Sequence, residues 1–205
     1  MTWAQSDLVR QKKMDNDFYG VVASLNYNNH ENLQATLGGG WTKYDGDRFG
    51  LVKWVKMPVS ELMPDHPYYD ENAKKTDFNV YGKLMYDFLP GLNAYVDMQY
   101  RHVGIKMVGP TDEINWDTNK RIVYDMKESF DFFNPKAGLN YDITPNHKAY
   151  VSYAIAHKEP TRNNYQDNMN AELPMPKSER LNDLEVGYKY QSPTFSAGAN
   201  FYWMD

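Results

Sequence analysis

The feature of this sequence that most constrains its fold is a two-residue alternation of apolar and polar side chains. In 92–100 the residues Leu92, Ala94, Val96, Met98 and Tyr100 alternate with Asn93, Tyr95, Asp97 and Gln99. Successive side chains of a β-strand point to opposite faces of its sheet, so each such run predicts a strand with one apolar face. The same alternation recurs in 19–27, 33–41, 149–155, 184–190 and 195–203. The sequence therefore predicts an all-β protein.

The alternating runs predict about eight strands, separated by connections of two lengths. The strands are expected at 17–27, 33–55, 75–88, 92–107, 130–143, 148–158, 180–191 and 195–205. Short connections rich in Asn, Pro and Gly predict tight turns at one end of the sheet. The connections at the other end, 56–75, 107–129 and 159–179, are long and rich in Pro, Asn and Asp. We expect an antiparallel up-and-down meander of four hairpins, forming one unit over 1–205.

Strand length and aromatic placement favour a barrel that crosses a membrane. The strands reach the ~9–11 residues that a tilted strand needs to cross a bilayer. Aromatic residues of the apolar face lie beside the tight turns, at Tyr27, Tyr86, Phe88, Tyr141, Tyr188, Tyr190 and Phe195. Outer-membrane barrels carry such aromatic girdles at the membrane interface. We expect an outer-membrane β-barrel or an arc of one; a soluble sandwich or lipocalin-like barrel is the alternative.

Composition excludes several classes of function. The chain has 22 Lys and Arg against 27 Asp and Glu, and no basic run, so nucleic-acid binding is not expected. It has no cysteine, which removes disulfide scaffolds and thiolate metal sites. No apolar window reaches the roughly 18 residues of a transmembrane helix. Nothing in the sequence calls for a cofactor or a bound metal.

Five segments of 132–205 resemble the C-terminal half of the barrel of TonB-dependent outer-membrane receptors. They are FNPKAGLNY (133–141), AYVSYA (149–154), HKEPTRNNY (157–165), PKSERLNDLEVGY (176–188) and ANFYWMD (199–205). Their order and spacing are similar to the family's P-x-x-G-x-x-Y strand, S-Y-A strand with a P-T corner, E-x-G-Y strand and Y-x-x-D strand. Residues 1–131 are similar in style, above all at MDNDFYG (14–20).

The resemblance implies a plugged barrel of about 22 strands in the outer membrane of a Gram-negative bacterium. Such receptors are transporters, not enzymes, and import ferric siderophores, haem, cobalamin or glycans with energy supplied through TonB. The plug and the last strands are not recognisable here, so we expect a fragment of such a receptor, with a ferric siderophore as its ligand. The implied partners are this iron chelate or another small nutrient in the full-length parent, outer-membrane lipid, and TonB only through the plug.

The candidate ligand contacts lie on the long connections, where barrels carry function. His66 lies in PDHPYYD (64–70), where Tyr68 and Tyr69 could stack on a ligand. His157 and Arg162 lie at the strand-to-loop corner that the resemblance identifies. The alternative interpretations are an ordinary polar loop for 64–70 and a purely structural corner for 157–162.

Two further functions remain open at this point. A self-contained eight-stranded outer-membrane barrel would have a structural or adhesive role. An outer-membrane hydrolase would need a triad such as Ser152, His157 and Asp167, although no G-x-S-x-G motif surrounds Ser152. A fragment of a larger barrel would also expose two sheet edges, which could pair two copies edge to edge.

Overall fold

The computed structural model describes residues 7–57, 63–115, 117–170 and 173–205. They form one antiparallel sheet of eight strands arranged in chain order. The strands are β1 (Leu8–Asn28), β2 (Leu33–Val55), β3 (Pro67–Leu89), β4 (Leu92–Asn115), β5 (Lys120–Thr144), β6 (His147–Lys158), β7 (Glu179–Gln191) and β8 (Ser196–Met204), and a helix, α1 (Arg162–Asn170), joins β6 to β7. The all-β meander is therefore confirmed.

The sheet is an open arc. Each strand pairs with its neighbours in the chain, and within the described ranges β1 and β8 do not pair with each other. The eight strands thus do not close on themselves, which removes the structural basis for a self-contained eight-stranded barrel. In the same ranges, no helix is both long and apolar enough to cross a bilayer.

Tight turns join β1 to β2, β3 to β4, β5 to β6 and β7 to β8, and we call this side of the sheet the turn end. The first turn is held by the side chain of Asn29, whose Oδ1 accepts backbone N–H groups of Glu31, Asn32 and Leu33 at 3.0, 3.1 and 2.9 Å. In the second turn Gly91 adopts a φ of 84°, which glycine reaches without steric cost. The opposite side, which carries α1, is the loop end.

The strands extend further toward the loop end than the sequence indicated. The expected long loop at 107–129 is wrong: β4 and β5 continue as a ladder until Asn115 pairs with Lys120. The signal was missed because apolar alternation stops before the ladder stops, and backbone hydrogen bonds need no apolar face. Pro110, which argued for a loop, lies at a register shift in this ladder, where a missing N–H is tolerated.

The register of the ladders keeps one face of the sheet apolar across all the strands. Leu84 pairs with Val96, which pairs with Ala137, which pairs with Tyr153. We call this side the apolar face; its large side chains are exposed. The other side, the polar face, carries Asn93, bonded to Asn140 at 2.8 Å, and Gln99, bonded to Asn134 at 3.1 Å.

Aromatic residues border the apolar face at both ends. The expected row beside the tight turns is present: the rings of Tyr86 and Phe88 lie 4.9 Å apart, and those of Tyr190 and Phe195 lie 6.1 Å apart. A second row, which the sequence analysis missed, consists of Tyr19, Trp41, Phe78, Tyr100 and Phe133, all exposed. The rows enclose about nine residues of each of the strands β1 to β5, close to the ~9–11 of a membrane-crossing strand.

Beyond the second row the same face becomes polar. The Asp131 carboxylate accepts a hydrogen bond from the Tyr100 hydroxyl at 2.6 Å and contacts His102 Nδ1 at 2.7 Å. Further toward the loop end, Lys74 pairs with Asp45 at 2.8 Å. The apolar band therefore has a defined width, set by aromatic rings and then by ion pairs.

A cationic substitution in the middle of the band tests its role. We expect Val96→Arg to lower the free energy of unfolding by about 2–4 kcal/mol in a lipid bilayer, because the guanidinium would face hydrocarbon. Gln99→Arg, on the polar face of the same strand, is the control and should change it much less. Denaturant titration of the polypeptide that contains this chain, reconstituted in vesicles, measures both. Equal losses would contradict a lipid-facing band.

Candidate functional site

The helix α1 covers the polar face at the loop end. It begins after Thr161, whose carbonyl accepts the Tyr165 N–H at 3.4 Å and whose own N–H donates to Asn164 Oδ1 at 2.8 Å, as in a capping box. One turn in, Tyr165 points at the sheet and is only 1% exposed. It packs in a cluster with Met107, Tyr124 and Met126 of β4 and β5. This cluster is the main apolar core on the polar face.

A cavity of about 310 Å³ lies between α1 and the sheet. Its floor comes from β2, β3 and β4, and its far wall comes from the corner 158–162 and from α1. The lining residues are Tyr44, Arg48, Ala73, Lys74, Lys75, Ile105, Met107, Lys158, Glu159, Pro160, Thr161, Arg162 and Tyr165. Cations outnumber the single carboxylate of Glu159 in this lining.

An ion-pair network ties the corner after β6 to the sheet. Glu159 accepts hydrogen bonds from Lys75 at 2.5 Å and from Arg101 at 2.9 and 3.1 Å. The same Arg101 guanidinium donates through Nε to both carboxylate oxygens of Asp77, at 3.2 and 3.0 Å. Two cations are thus matched by two carboxylates, and β3 and β4 are joined to the segment that leads into α1.

The lowered pKa of the Glu159 carboxyl shows that this network stabilises its charged form. Burial alone would raise the pKa of its carboxyl, but the hydrogen bonds from Lys75 and Arg101 outweigh burial and lower it to about 2. Glu159 lies beyond the end of β6, at the loop end. The carboxylate is therefore charged throughout the physiological range and holds both cations in place.

Arg162, a residue predicted as a ligand contact, begins α1 and lines the cavity. Its guanidinium forms an ion pair with Glu71 of β3 and lies over the ring of Tyr124, 5.5 Å from the centroid. Glu71 is 4% exposed, so the pair is shielded from water. Arg162 therefore anchors α1 to β3, and a role in ligand contact stays a prediction.

Three predicted residues at the start of β3, His66, Tyr68 and Tyr69, are not part of the cavity lining. His66 is exposed and immediately precedes β3. Tyr68 and Tyr69 lie at a β-bulge, where Gly50 pairs with Tyr69 and Leu51 pairs with Pro67. The bulge explains how sequence neighbours come together with rings 5.1 Å apart, edge to face. Both rings occupy the space that a side chain on Gly50 would need.

His157 lies at the end of β6, with its ring stacked on Phe132 at 5.6 Å and its Nδ1 2.9 Å from Asn134 Oδ1. Phe132 is 4% exposed, so this histidine is part of the packing between β5 and β6. Of the five predicted contacts, the structure places Arg162 in the cavity lining, Tyr68 and Tyr69 on β3, His66 just before β3, and His157 at the end of β6. Contact of any of them with a ligand stays a prediction.

Arg48 is one of several residues of this site that the sequence analysis missed, as are Lys75 and Tyr165. It lies on the polar face of β2, and its Nε is buried without a hydrogen-bond partner among the described residues. The Tyr165 hydroxyl is in the same condition, and burial, with the nearby charges of Glu128 and Glu159, raises its pKa to about 12. The alternation Tyr44, Gly46, Arg48, Gly50 could have placed Arg48 on this face, but not beneath a helix.

The described ranges contain no group of three or more His, Asp or Glu side chains placed to hold a metal ion. The site chemistry is that of cations, tyrosine hydroxyls and carboxylates held in ion pairs.

Comparison with known families gives one match over nearly the whole chain. Residues 2–205 match the family described as TonB dependent receptor-like, beta-barrel. The search of curated proteins finds no relative. The matched family consists of transport receptors and not of enzymes, so the hydrolase alternative through Ser152 loses its basis.

Solved structures share the fold at low sequence identity. The ferric-catecholate import receptor Fiu from E. coli K12, in an open form, has a TM-score of 0.65 at 15% identity and covers 95% of this chain and 31% of its own. The copper transporter OprC has a TM-score of 0.75 at 11% identity, and the match covers 94% of this chain and 30% of OprC. The unliganded ferric citrate transporter FecA has a TM-score of 0.64 at 10% identity, and the match covers 100% of this chain and 29% of FecA. The chain thus spans about a third of each of these proteins.

The network around Glu159 gives a pH-dependent prediction. We expect Glu159→Gln to lower the free energy of unfolding by about 2–3 kcal/mol near pH 7, because Lys75 and Arg101 lose a buried counter-charge. The folded pKa of about 2 lies below the ordinary 4.5, so this stabilisation is complete above pH 4.5 and is lost as pH falls toward 2.

Denaturant titrations of the wild type and of Glu159→Gln at several pH values measure this difference. Glu179→Gln is a suitable control, because its contact with Lys158 is 4.0 Å long and both side chains are exposed. A Glu159 effect that is independent of pH between 5 and 2 would show that the carboxylate is not held in this network.

Proposed function

The chain belongs to the TonB-dependent receptor-like β-barrel family, and from this we propose that it forms part of the wall of a Gram-negative outer-membrane receptor that imports a ferric siderophore. The observation that carries the membrane assignment is the apolar band between two aromatic rows. Exposed leucine, valine and aromatic side chains on one face would be costly in water but are stabilised against lipid.

The polar face supports a role at the lumen of such a barrel. It carries hydrogen-bonded amides, the Arg101–Asp77–Glu159 network and the helix α1, all of which suit water or a polar protein surface. In a full receptor this face would border the plug and the ligand path. TonB would reach the receptor through the plug, and lipid would contact the apolar face only.

The open edges of the sheet fit a larger barrel. Unpaired strands expose backbone N–H and C=O groups, which a membrane does not tolerate. Strands of the same polypeptide beyond β1 and β8 would satisfy them, and a wider arc than eight strands leaves room for a plug. Pairing of two copies edge to edge stays a prediction from the sequence.

The choice of a ferric siderophore rests on the fold neighbours and on the site. Fiu is a ferric-catecholate import receptor and FecA a ferric citrate transporter, whereas OprC is a copper transporter. The cationic cavity at the loop end suits anionic oxygen ligands of ferric iron better than the soft ligands that Cu(I) prefers.

Uptake by cells that carry the full-length parent tests this function. We expect deletion of its gene to abolish the accumulation of radioactive iron from the cognate ferric siderophore under iron limitation, and a plasmid copy to restore it. A panel of ferric catecholates, ferric hydroxamates, ferric citrate, haem, cobalamin and copper identifies the ligand. Unchanged uptake of every ferric chelate, with loss of another nutrient, would contradict the iron assignment.

A further inference from the structure

The apolar face becomes a basic surface beyond its second aromatic row, on three neighbouring strands. Lys74 of β3 pairs with Lys106 of β4, and Lys106 pairs with Lys127 of β5, so three ammonium groups lie in one row across the sheet. We call this row the outer lysine row. Like charges placed directly opposite each other across strands are destabilising, so a counter-charge over the row would be stabilising.

Carboxylates of the chain compensate this row only at one end. Lys74 pairs with Asp45 at 2.8 Å. Lys106 and Lys127 are exposed, and within the described ranges neither has an ion-pair partner. This includes Asp125, which follows Lys127 on the same face toward the loop end. Two of the three ammonium groups are therefore available to an anion.

A row of small side chains separates the lysines from the aromatic border. Thr76 pairs with Gly104, and Gly104 pairs with Ser129. Together with the three lysines and His102, they line a depression of about 370 Å³. Gly104 keeps the depression open, because a Cβ there would lie 2.8 Å from the Thr76 hydroxyl oxygen. Neither hydroxyl has a side-chain partner among the described residues, so both can donate to an oxyanion.

Two nearby carboxylates of β5 are engaged elsewhere or face the other way. Asp131 already accepts the Tyr100 hydroxyl at 2.6 Å and contacts His102 Nδ1 at 2.7 Å. Glu128 borders the depression, but it adjoins Lys127 in the strand, so its side chain points to the polar face. The depression thus presents ammonium and hydroxyl donors to the outside.

The depression lies at the level of a lipid headgroup. Thr76 is two residues beyond Phe78 of the second aromatic row, about 7 Å along the strand, and Gly104 is four residues beyond Tyr100, about 14 Å. Strand tilt shortens these distances along the membrane normal, and headgroups add about 5–8 Å to each side of the hydrocarbon core. The long loops of outer-membrane barrels are extracellular, so the loop end would face the outer leaflet.

We propose that this depression binds the phosphate group of an outer-leaflet lipid, with Lys106 and Lys127 as counter-charges and the hydroxyls of Thr76 and Ser129 as further donors. The proposal rests on the membrane part of the proposed function. It does not involve the imported ligand, because the site lies on the opposite side of the sheet from the cavity under α1. Ammonium groups form strong charge-assisted hydrogen bonds with phosphate, and basic clusters beside a membrane attract anionic headgroups.

The apolar face offers a place for the acyl chains of the same molecule. Gly82 of β3 lies between Leu37 and Met98 in the ladder, at a groove of about 460 Å³ that Leu84 and Val96 also border. An acyl chain in this groove would bury apolar surface, which free phosphate cannot do. We therefore assign the site to a lipid and not to inorganic phosphate.

Equilibrium binding of lipid to the purified full-length receptor in a nonionic detergent tests the proposal. The probes are diphosphoryl lipid A, the same lipid after removal of both phosphates, and inorganic phosphate as a competitor. We expect the diphosphoryl lipid to bind about tenfold tighter than the dephosphorylated one, and less tightly as salt rises. Lys106→Gln and Lys127→Gln should each weaken its binding about fivefold, and the double variant about twentyfold, with the dephosphorylated lipid unaffected.

Lys83→Gln is the matched control. It removes a lysine charge of β3 from the polar face, where the side chain lies over the ring of Tyr95, and should leave both lipid affinities unchanged. Lys127→Arg keeps the charge and should keep most of the affinity.

Thermal unfolding gives a second measurement on the same proteins. Without lipid, the double variant Lys106→Gln/Lys127→Gln should unfold no lower than the wild type, because it relieves repulsion within the outer lysine row. Diphosphoryl lipid A should raise the Tm of the wild type more than that of the double variant, because a ligand stabilises the state that binds it.

The outcomes separate this proposal from the receptor function. Equal binding of the two lipids, or an unchanged affinity in the double variant, overturns the proposal and leaves the receptor function in place. Displacement of the diphosphoryl lipid by an equal concentration of inorganic phosphate would reveal a free-anion site and overturn the assignment to a lipid. If Val96→Arg shows no cost in a bilayer, the membrane placement is wrong and the proposal fails with it.

Discussion

The structure depends on the antiparallel backbone ladder, because its register decides which side of the sheet each residue faces. A shift by one residue in any strand would move its whole apolar set to the polar face. The pairing of Leu84 with Val96 and of Val96 with Ala137 shows that the register holds across the central strands. The apolar band, its aromatic borders and the ionic network opposite all follow from it.

On the polar face, ion pairs hold α1 and the corner after β6 against the sheet, a role that apolar packing has in a globular core. Glu159 connects Lys75 and Arg101 to the corner after β6, and Arg162 connects α1 to Glu71. These contacts set the position of Tyr165, which closes the cavity against Met107. The cost of burying charges is offset within these pairs, and Arg48 lies opposite Glu71 in the ladder of β2 and β3.

Much of the fold could be predicted from the sequence, because period-two alternation is a local signal. It located all eight strands and the tight turns, and the motifs of 132–205 identified the family. It failed where polar residues continue a ladder, as in 107–129. The site was less accessible. Arg162 was identified from the corner motif. Arg48, Lys75 and Tyr165 come together in one cavity only because α1 packs on the sheet, and no local sequence pattern encodes that packing.

The most direct test of the central claim, that one face of this sheet contacts lipid and the other does not, is a spin-label scan of β4. The chain has no cysteine, so single cysteines placed from Leu92 to Lys106 are unique within it, and any cysteine elsewhere in the full-length receptor is replaced by serine before labelling in bilayers. Collision rates with oxygen, which concentrates in lipid, should alternate with period two from Leu92 to Tyr100 and fall beyond His102. Rates without alternation, or alternation that continues unchanged to Lys106, would contradict the account.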